Sequence, residues 1–238
     1  MSRCPRRILL IFTLLAAALG ARAESVSDAV KAAEGLWEYT GLVTRDGESL
    51  PLTGLFLISG GMFLQQSIFD GEPFDAMGSM AHVGPYVAGG AGLRLTSLQT
   101  LSMAPGTASS LSSAGSVEHD LAVTRDGNAL TLVFGGGTST VQTFERLGDA
   151  ADTALFRFAN GALAFADGYF ILVIGDEASA VSGYGHYERS GDVLTLQAIR
   201  WAASDGEDVI NLRDAIVTTR FTGDVLALPG GRRFLVLP

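Results

Sequence analysis

From Leu36 onward the apolar and polar positions fall into short runs, broken at regular intervals by glycine-containing pairs, and no run keeps a helical period. Leu93 and Leu95, Leu130, Leu132 and Phe134, and Leu194 and Leu196 alternate with a period of two, the pattern of half-buried antiparallel strands. Two runs do not alternate. Leu55 to Ile58 and Phe170 to Ile174 are continuously apolar, which predicts strands covered on both faces. Asp46-Gly47, Gly60-Gly61, Asp126-Gly127, Asp167-Gly168 and Gly191-Asp192 supply the positive backbone angles of tight hairpin turns. Ahead of the strands, Ser25 to Glu34 reads as one short helix, with Ser27 as N-cap, Asp28 at its positive end and Gly35 as its stop. Consecutive hairpins make a meander, and a meander without disulfides hides its edges best by closing into a barrel.

The pattern occurs twice. Gly54–Leu64 (GLFLISGGMFL) lies over Gly161–Ile171 (GALAFADGYFI) with a shift of 107 and no gap. Gly84–Leu98 lies over Gly185–Ile199, and Gly127–Leu132 over Gly223–Leu228, in the same order with drifting offsets. Such an ordered series is a duplicated unit with loop insertions. What repeats is turn glycines and apolar strands, hence scaffold. The expected fold class is all-β, with two tandem antiparallel barrels, residues 24–147 and 148–238; one larger barrel built from two halves is the alternative. The same shift sets Trp37 over Phe144, so Thr143–Leu147 closes the first unit, opens the second, or does both. The small, polar stretch Ser102–Ser116 reads as an insertion or as a lid over a barrel mouth.

The N-terminus changes the picture of where such a protein works. Arg3, Arg6 and Arg7 precede the apolar run Ile8–Leu19, and Ala21-Arg22-Ala23 supplies a cleavage site, so residues 1–23 read as a secretory signal. The run is too short for a membrane span and no later segment resembles one. The expected location is the periplasm or outside the cell. Cys4, the one cysteine, would leave with the signal, so neither disulfides nor thiol chemistry is available afterwards. Loss of four arginines leaves 12 basic against 25 acidic residues, a charge of −13. Such a chain repels phosphate backbones, which argues against nucleic-acid binding.

Gly35-Leu36-Trp37, directly after a short helix and opening the first strand, resembles the Gly-x-Trp start of lipocalins and bacterial lipocalin-like domains. In that family an arginine from the last strand packs on the tryptophan and closes the base of the barrel; Arg146 stands at the matching place. A guanidinium suits the role because it stacks on an indole while its donors reach strand-end carbonyls. The resemblance covers about Gly35 to Leu147 and reaches the second unit only through the repeat. It implies a cup-shaped cavity for a small apolar molecule.

No catalytic signature emerges. His82, His119 and His186 stand apart from one another without metal-ligand spacing, so no metal or cofactor is expected. Tyr184, His186 and Glu188 share one strand face and could form an acid–base group of a hydratase or isomerase type, yet Val83, Pro85 and Val87 replace them in the first copy. That face reads as a polar exterior, with Tyr86 and Tyr187 pointing inward. Asp205, Glu207 and Asp208 lack a full calcium-loop pattern, and Gly135–Thr138 lacks the lysine and helix of a phosphate loop. The expected function is binding of a small apolar or lipid-like ligand, with Phe56, Phe63, Tyr86, Phe170, Tyr187 and Trp201 as candidate lining. The competing readings are an acid–base enzyme, a structural or interaction module, and an outer-membrane barrel, for which the aromatics are too few to make two girdles. Oligomeric state is not legible.

Overall fold

The computed structural model describes residues 28–90, 92–103, 111–113, 115–135, 139–176, 178–205 and 208–238. The segment 1–23, read from sequence as a secretory signal, Ser27, most of the stretch 102–116, Gly136–Thr138 and Glu207 lie outside the described residues.

A short helix, 28–33, leads into β1 (Gly35–Val43). The first sheet continues with β2 (Ser49–Leu50), β3 (Leu52–Ser59), β4 (Met62–Phe69), β5 (Ser79–Gly89), β6 (Gly92–Ser97), β7 (Gln99–Met103), β8 (Ser112–Ser113), β9 (Val117–Asp126), β10 (Ala129–Phe134) and β11 (Val141–Gly148). β1 pairs with β3 and β11, and β4 with β5, so β1-β3-β4-β5-β6-β9-β10-β11 closes as a ring of antiparallel strands. The second sheet comprises β12 (Ala154–Phe158), β13 (Gly161–Ala166), β14 (Tyr169–Gly175), β15 (Ala180–Ser190), β16 (Val193–Ser204), β17 (Val209–Phe221), β18 (Val225–Ala227) and β19 (Arg233–Leu235), each paired with the next. At its seam the Leu237 N–H donates to the Arg157 carbonyl at 2.8 Å. Two barrel-shaped sheets in tandem are therefore the architecture, consistent with a lipocalin-like fold, and among the described residues no strand pairs across from one to the other. Among the described residues no helix is long and apolar enough to cross a membrane.

The segment Thr143–Leu147 belongs to β11 and closes the first sheet. Ladder register also corrects the alignment of the two openings. Trp37 pairs with Phe56, and Phe156 pairs with Leu163, the residue that stands over Phe56 in the repeat. The counterpart of Trp37 is Phe156, not Phe144. The cause is loop length: Tyr39 and Gly54 are 15 positions apart, whereas Phe158 and Gly161 are three apart.

Each barrel has its own interior. Trp37, Phe56, Phe63, Leu95, Leu121, Leu132 and Phe144 fill the first; Phe158, Phe165, Phe170, Leu172, Leu196, Trp201 and Phe221 fill the second. A third cluster lies between them. Leu55, Leu57 and Leu64 on the outer face of the first barrel meet Ala162, Ala164, Ile171 and Val173 on the outer face of the second. This is why the runs Leu55–Ile58 and Phe170–Ile174 do not alternate: one side faces its own barrel and the other the neighbouring barrel. The alanines keep one surface low so that leucines from the other sheet can enter it. Polar links cross the same seam. Tyr184 Oη and Thr53 Oγ1 are 2.9 Å apart, Gln99 Nε2 donates to the Gly175 carbonyl at 2.8 Å, and Asp70 accepts from Arg200 and Arg213, each at 2.9 Å.

Candidate functional site

The two ends of the first barrel differ. At the end where β1 begins, the Trp37 Nε1–H donates to the Ala33 carbonyl at 2.8 Å, and the guanidinium carbons of Arg125 and Arg146 lie 5.4 and 5.7 Å from the centre of its ring system. Arg146 pairs across from Trp37 in the β1–β11 ladder, reaches the Gly148 carbonyl at 3.3 Å and forms an ion pair with Asp149. Gly35 leads directly into this turn. Arg125 is a second cation on the same ring that sequence reasoning did not single out. The Tyr86 hydroxyl donates to Glu34 at 2.7 Å. Helix, indole and arginines together shut this end.

The opposite end is a cup of about 280 Å³, lined by Leu42, Leu52, Phe69, Met80 and Phe134 together with Gln65, Ser67, His82, His119, Thr140 and Gln142. Below it Tyr39, Phe56, Phe63 and Phe144 pack ring against ring, with centroids 4.3 to 6.0 Å apart, and fill the barrel. A polar layer lies on this plug. The Tyr39 hydroxyl donates to Gln142 Oε1 at 2.9 Å and accepts from Gln65 Nε2, which also lies 3.3 Å from that Oε1. His82 Nδ1 sits 3.1 Å from both Ser97 Oγ and Thr100 Oγ1, and the His82 and His119 rings meet edge to face at 6.1 Å. Burial, and secondarily the neighbouring His119, pulls the His82 imidazole down to about 4, and burial lowers His119 as well. Burial raises the Tyr39 phenol. At neutral pH the layer is therefore uncharged.

The second barrel carries the control. His82 pairs with Thr100 across β5 and β7, and Gly183 pairs with Trp201 at the same place across β15 and β16. Following the ladders outward, Tyr39, Gln65, His82, Ser97, Thr100, His119 and Gln142 stand where the second barrel has Phe158, Leu172, Gly183, Ala198, Trp201, Val217 and Phe234. Each of these seven polar positions has an apolar residue or glycine in the second. The Trp201 indole, packed over Gly183, fills the space that is the cup in the first barrel.

None of the candidate ligand residues lines this cup. Phe56, Phe63 and Tyr86 belong to the packed interior of the first barrel, and Phe170 and Trp201 to that of the second; none of these five is more than 6% exposed. Tyr187 is half-buried, with its ring 4.3 Å from Phe165. The acid–base face does not assemble a site either. Tyr184 is buried in the inter-barrel seam, whereas His186 is exposed against the Tyr169 ring at 4.3 Å, and Glu188 accepts from Gln197 at 3.3 Å on the outer surface. Two further hollows, about 290 Å³ beside His186 and about 470 Å³ beside Arg232, are open surface: Ile216 and Ile210 at their edges remain 74% and 53% exposed. Among the described residues no group of three histidine, cysteine or acidic side chains converges as a metal site.

Sequence reasoning missed Tyr39, Gln65 and Gln142 and read His82 and His119 as isolated. A signal was present in the ungapped repeat, where Gln65 stands over Leu172. Comparison with known protein families, curated proteins and solved structures found no match for this chain.

Proposed function

We propose that this chain is an exported, lipocalin-like protein that holds a small apolar or lipid-like molecule in the mouth of its first barrel, while the second barrel serves as a packed support. One observation carries the reading. The two barrels share register, turn glycines and apolar strands, so the scaffold tolerates an apolar interior at all seven positions where the first barrel is polar. Polar groups set inside a barrel are costly unless they are partnered. A polar layer that the fold does without is kept for what it binds, and an apolar rim above a few polar groups is the usual make-up of a small-molecule site. The helix and the Gly35-Leu36-Trp37 opening with Arg146 support kinship with bacterial lipocalin-like domains, and the charged start, apolar run and Ala21-Arg22-Ala23 support export to the periplasm or beyond.

The test is native mass spectrometry on detergent-free protein after incubation with a lipid extract, run beside the double variant His82→Gly/Thr100→Trp. That variant copies the Gly183–Trp201 plug into the first barrel. A solvent-extractable adduct on the unaltered protein, absent from a variant with unchanged circular dichroism, is the expected result. Bare masses for both, or an adduct that survives the plug, would overturn the reading.

A further inference from the structure

The geometry points to one ligand class for this cup: an uncharged molecule of about two fused rings carrying a hydroxyl-type group, seated with that group on Gln65, His82 and Gln142. The inference rests on the proposed carrier function and narrows it.

Charge comes first. Among the described lining residues there is no lysine, arginine, aspartate or glutamate, and the two histidines are neutral. A carboxylate entering the cup would leave water and meet no cation, a desolvation cost that polar contacts do not offset. An ammonium would fare equally badly, with no carboxylate to meet it. The ion pair of Arg94 with Asp120, at 2.8 Å on neighbouring strands, is exposed and already closed on itself.

The available hydrogen-bonding atoms set the head group. Tyr39 takes up Gln142 Oε1 and the Nε2 of Gln65. What remains is Gln65 Oε1 as acceptor and the Gln142 amide N–H groups as donors, on side chains that line the cup. A hydroxyl donating to Nδ1 of His82 leaves the proton on its Nε2, a further donor. Donors and an acceptor side by side match a group that does both, as a hydroxyl does.

Size and depth exclude long chains. A dry cavity of about 150 Å³ takes one benzene ring; this cup is about 280 Å³. The packed rings of Tyr39, Phe56, Phe63 and Phe144 stop anything longer from threading down the barrel. Leu42, Leu52, Phe69, Met80 and Phe134 are left to grip an apolar body of that size.

The experiment titrates the full secreted chain at pH 7.5 with 1-naphthol, naphthalene, 1-naphthoate and palmitate, by calorimetry. Naphthol is expected to bind one to one, naphthalene about tenfold more weakly for want of the hydroxyl, and naphthoate at least about a hundredfold more weakly. Palmitate is not expected to displace naphthol. Gln142→Leu should bring naphthol down to the affinity of naphthalene. Naphthoate binding as tightly as naphthol, or displacement by palmitate, would overturn the ligand class while leaving a binding cup in place. Silence from all four probes would bring down the carrier function with it.

Discussion

The Trp201 indole lies where any side chain on Gly183 would have to go: a Cβ on that glycine would fall 2.5 Å from the indole Cε3. This one contact separates a filled barrel from a cupped one. It also gives a prediction with a clear sign. Trp201→Thr, which restores the residue of the first barrel, should remove about 3–5 kcal/mol of stability, the usual cost of deleting a large buried aromatic side chain. Urea unfolding would measure it. If the indole is a plug, added indole should raise the midpoint of the variant by more than it raises that of the unaltered protein, because only the variant has an emptied second barrel for it to enter.

The matched glycines make a second prediction. Gly54 and Gly161 have φ of +150° and +149°, and a Cβ would lie 1.8 Å from the Gln66 carbonyl oxygen in one and 2.0 Å from that of Val173 in the other. Backbone cannot yield as a side-chain tip does, so Gly54→Ala and Gly161→Ala should each cost more than about 3 kcal/mol. Gly168 has φ of +82° but open space around it. Gly168→Ala should cost only about 1 kcal/mol, the strain of a left-handed turn alone. Equal losses at all three sites, measured by urea unfolding, would mean that turn strain rather than close approach decides.

That contrast shows what the chain spells out and what it conceals. Turn glycines, alternating leucines and the two unbroken apolar runs are local features, so they are legible residue by residue, and the duplication reinforces them. The cup is not local. Tyr39, Gln65, His82, His119 and Gln142 come from five strands, and each is a single polar residue in a strand that needs polar residues anyway for its outer face. Nothing in one strand says which way such a residue points. Only register places His82 beside His119, and only the second barrel shows that the fold does not need them. The large aromatics are ambiguous for the opposite reason. Phe56, Phe63 and Phe170 look like ligand lining, but an eight-stranded barrel is narrow enough for side chains to fill, and they fill it.

The histidines predict a pH dependence. In the folded chain His82 titrates at about 4 because it is buried and faces His119, against 6.5 when free. Gln65, Ser97 and Thr100, which also face it, carry no charge. Between those values the unfolded chain binds more protons, so stability is fully present above pH 6.5 and falls as the pH drops towards 4. The loss is about 3 kcal/mol for His82, and His119, lowered in the same direction, adds to it. Urea midpoints should therefore fall between pH 6.5 and 5, a range above the titration of ordinary carboxylates. His82→Gln should flatten that fall; an unchanged slope would mean that His82 is not the group responsible.

The inter-barrel seam holds one residue whose removal should help. Gln66 is fully buried on the outer face of β4, between Leu64 and Ile68, and among the described residues neither its amide nitrogen nor its oxygen has a hydrogen-bond partner. Its counterpart in the second barrel is Val173, apolar and equally buried. A buried amide without partners bears its full desolvation penalty, about 1–3 kcal/mol, while an apolar side chain of similar size would gain contact with the leucines around it. Gln66→Leu should accordingly raise stability by about 1–2 kcal/mol, read as a higher urea midpoint with an unchanged slope. The sign matters more than the size, since most core substitutions destabilise. A lower midpoint would show that the amide is paired in solution, and that the seam between the barrels is wet at this point.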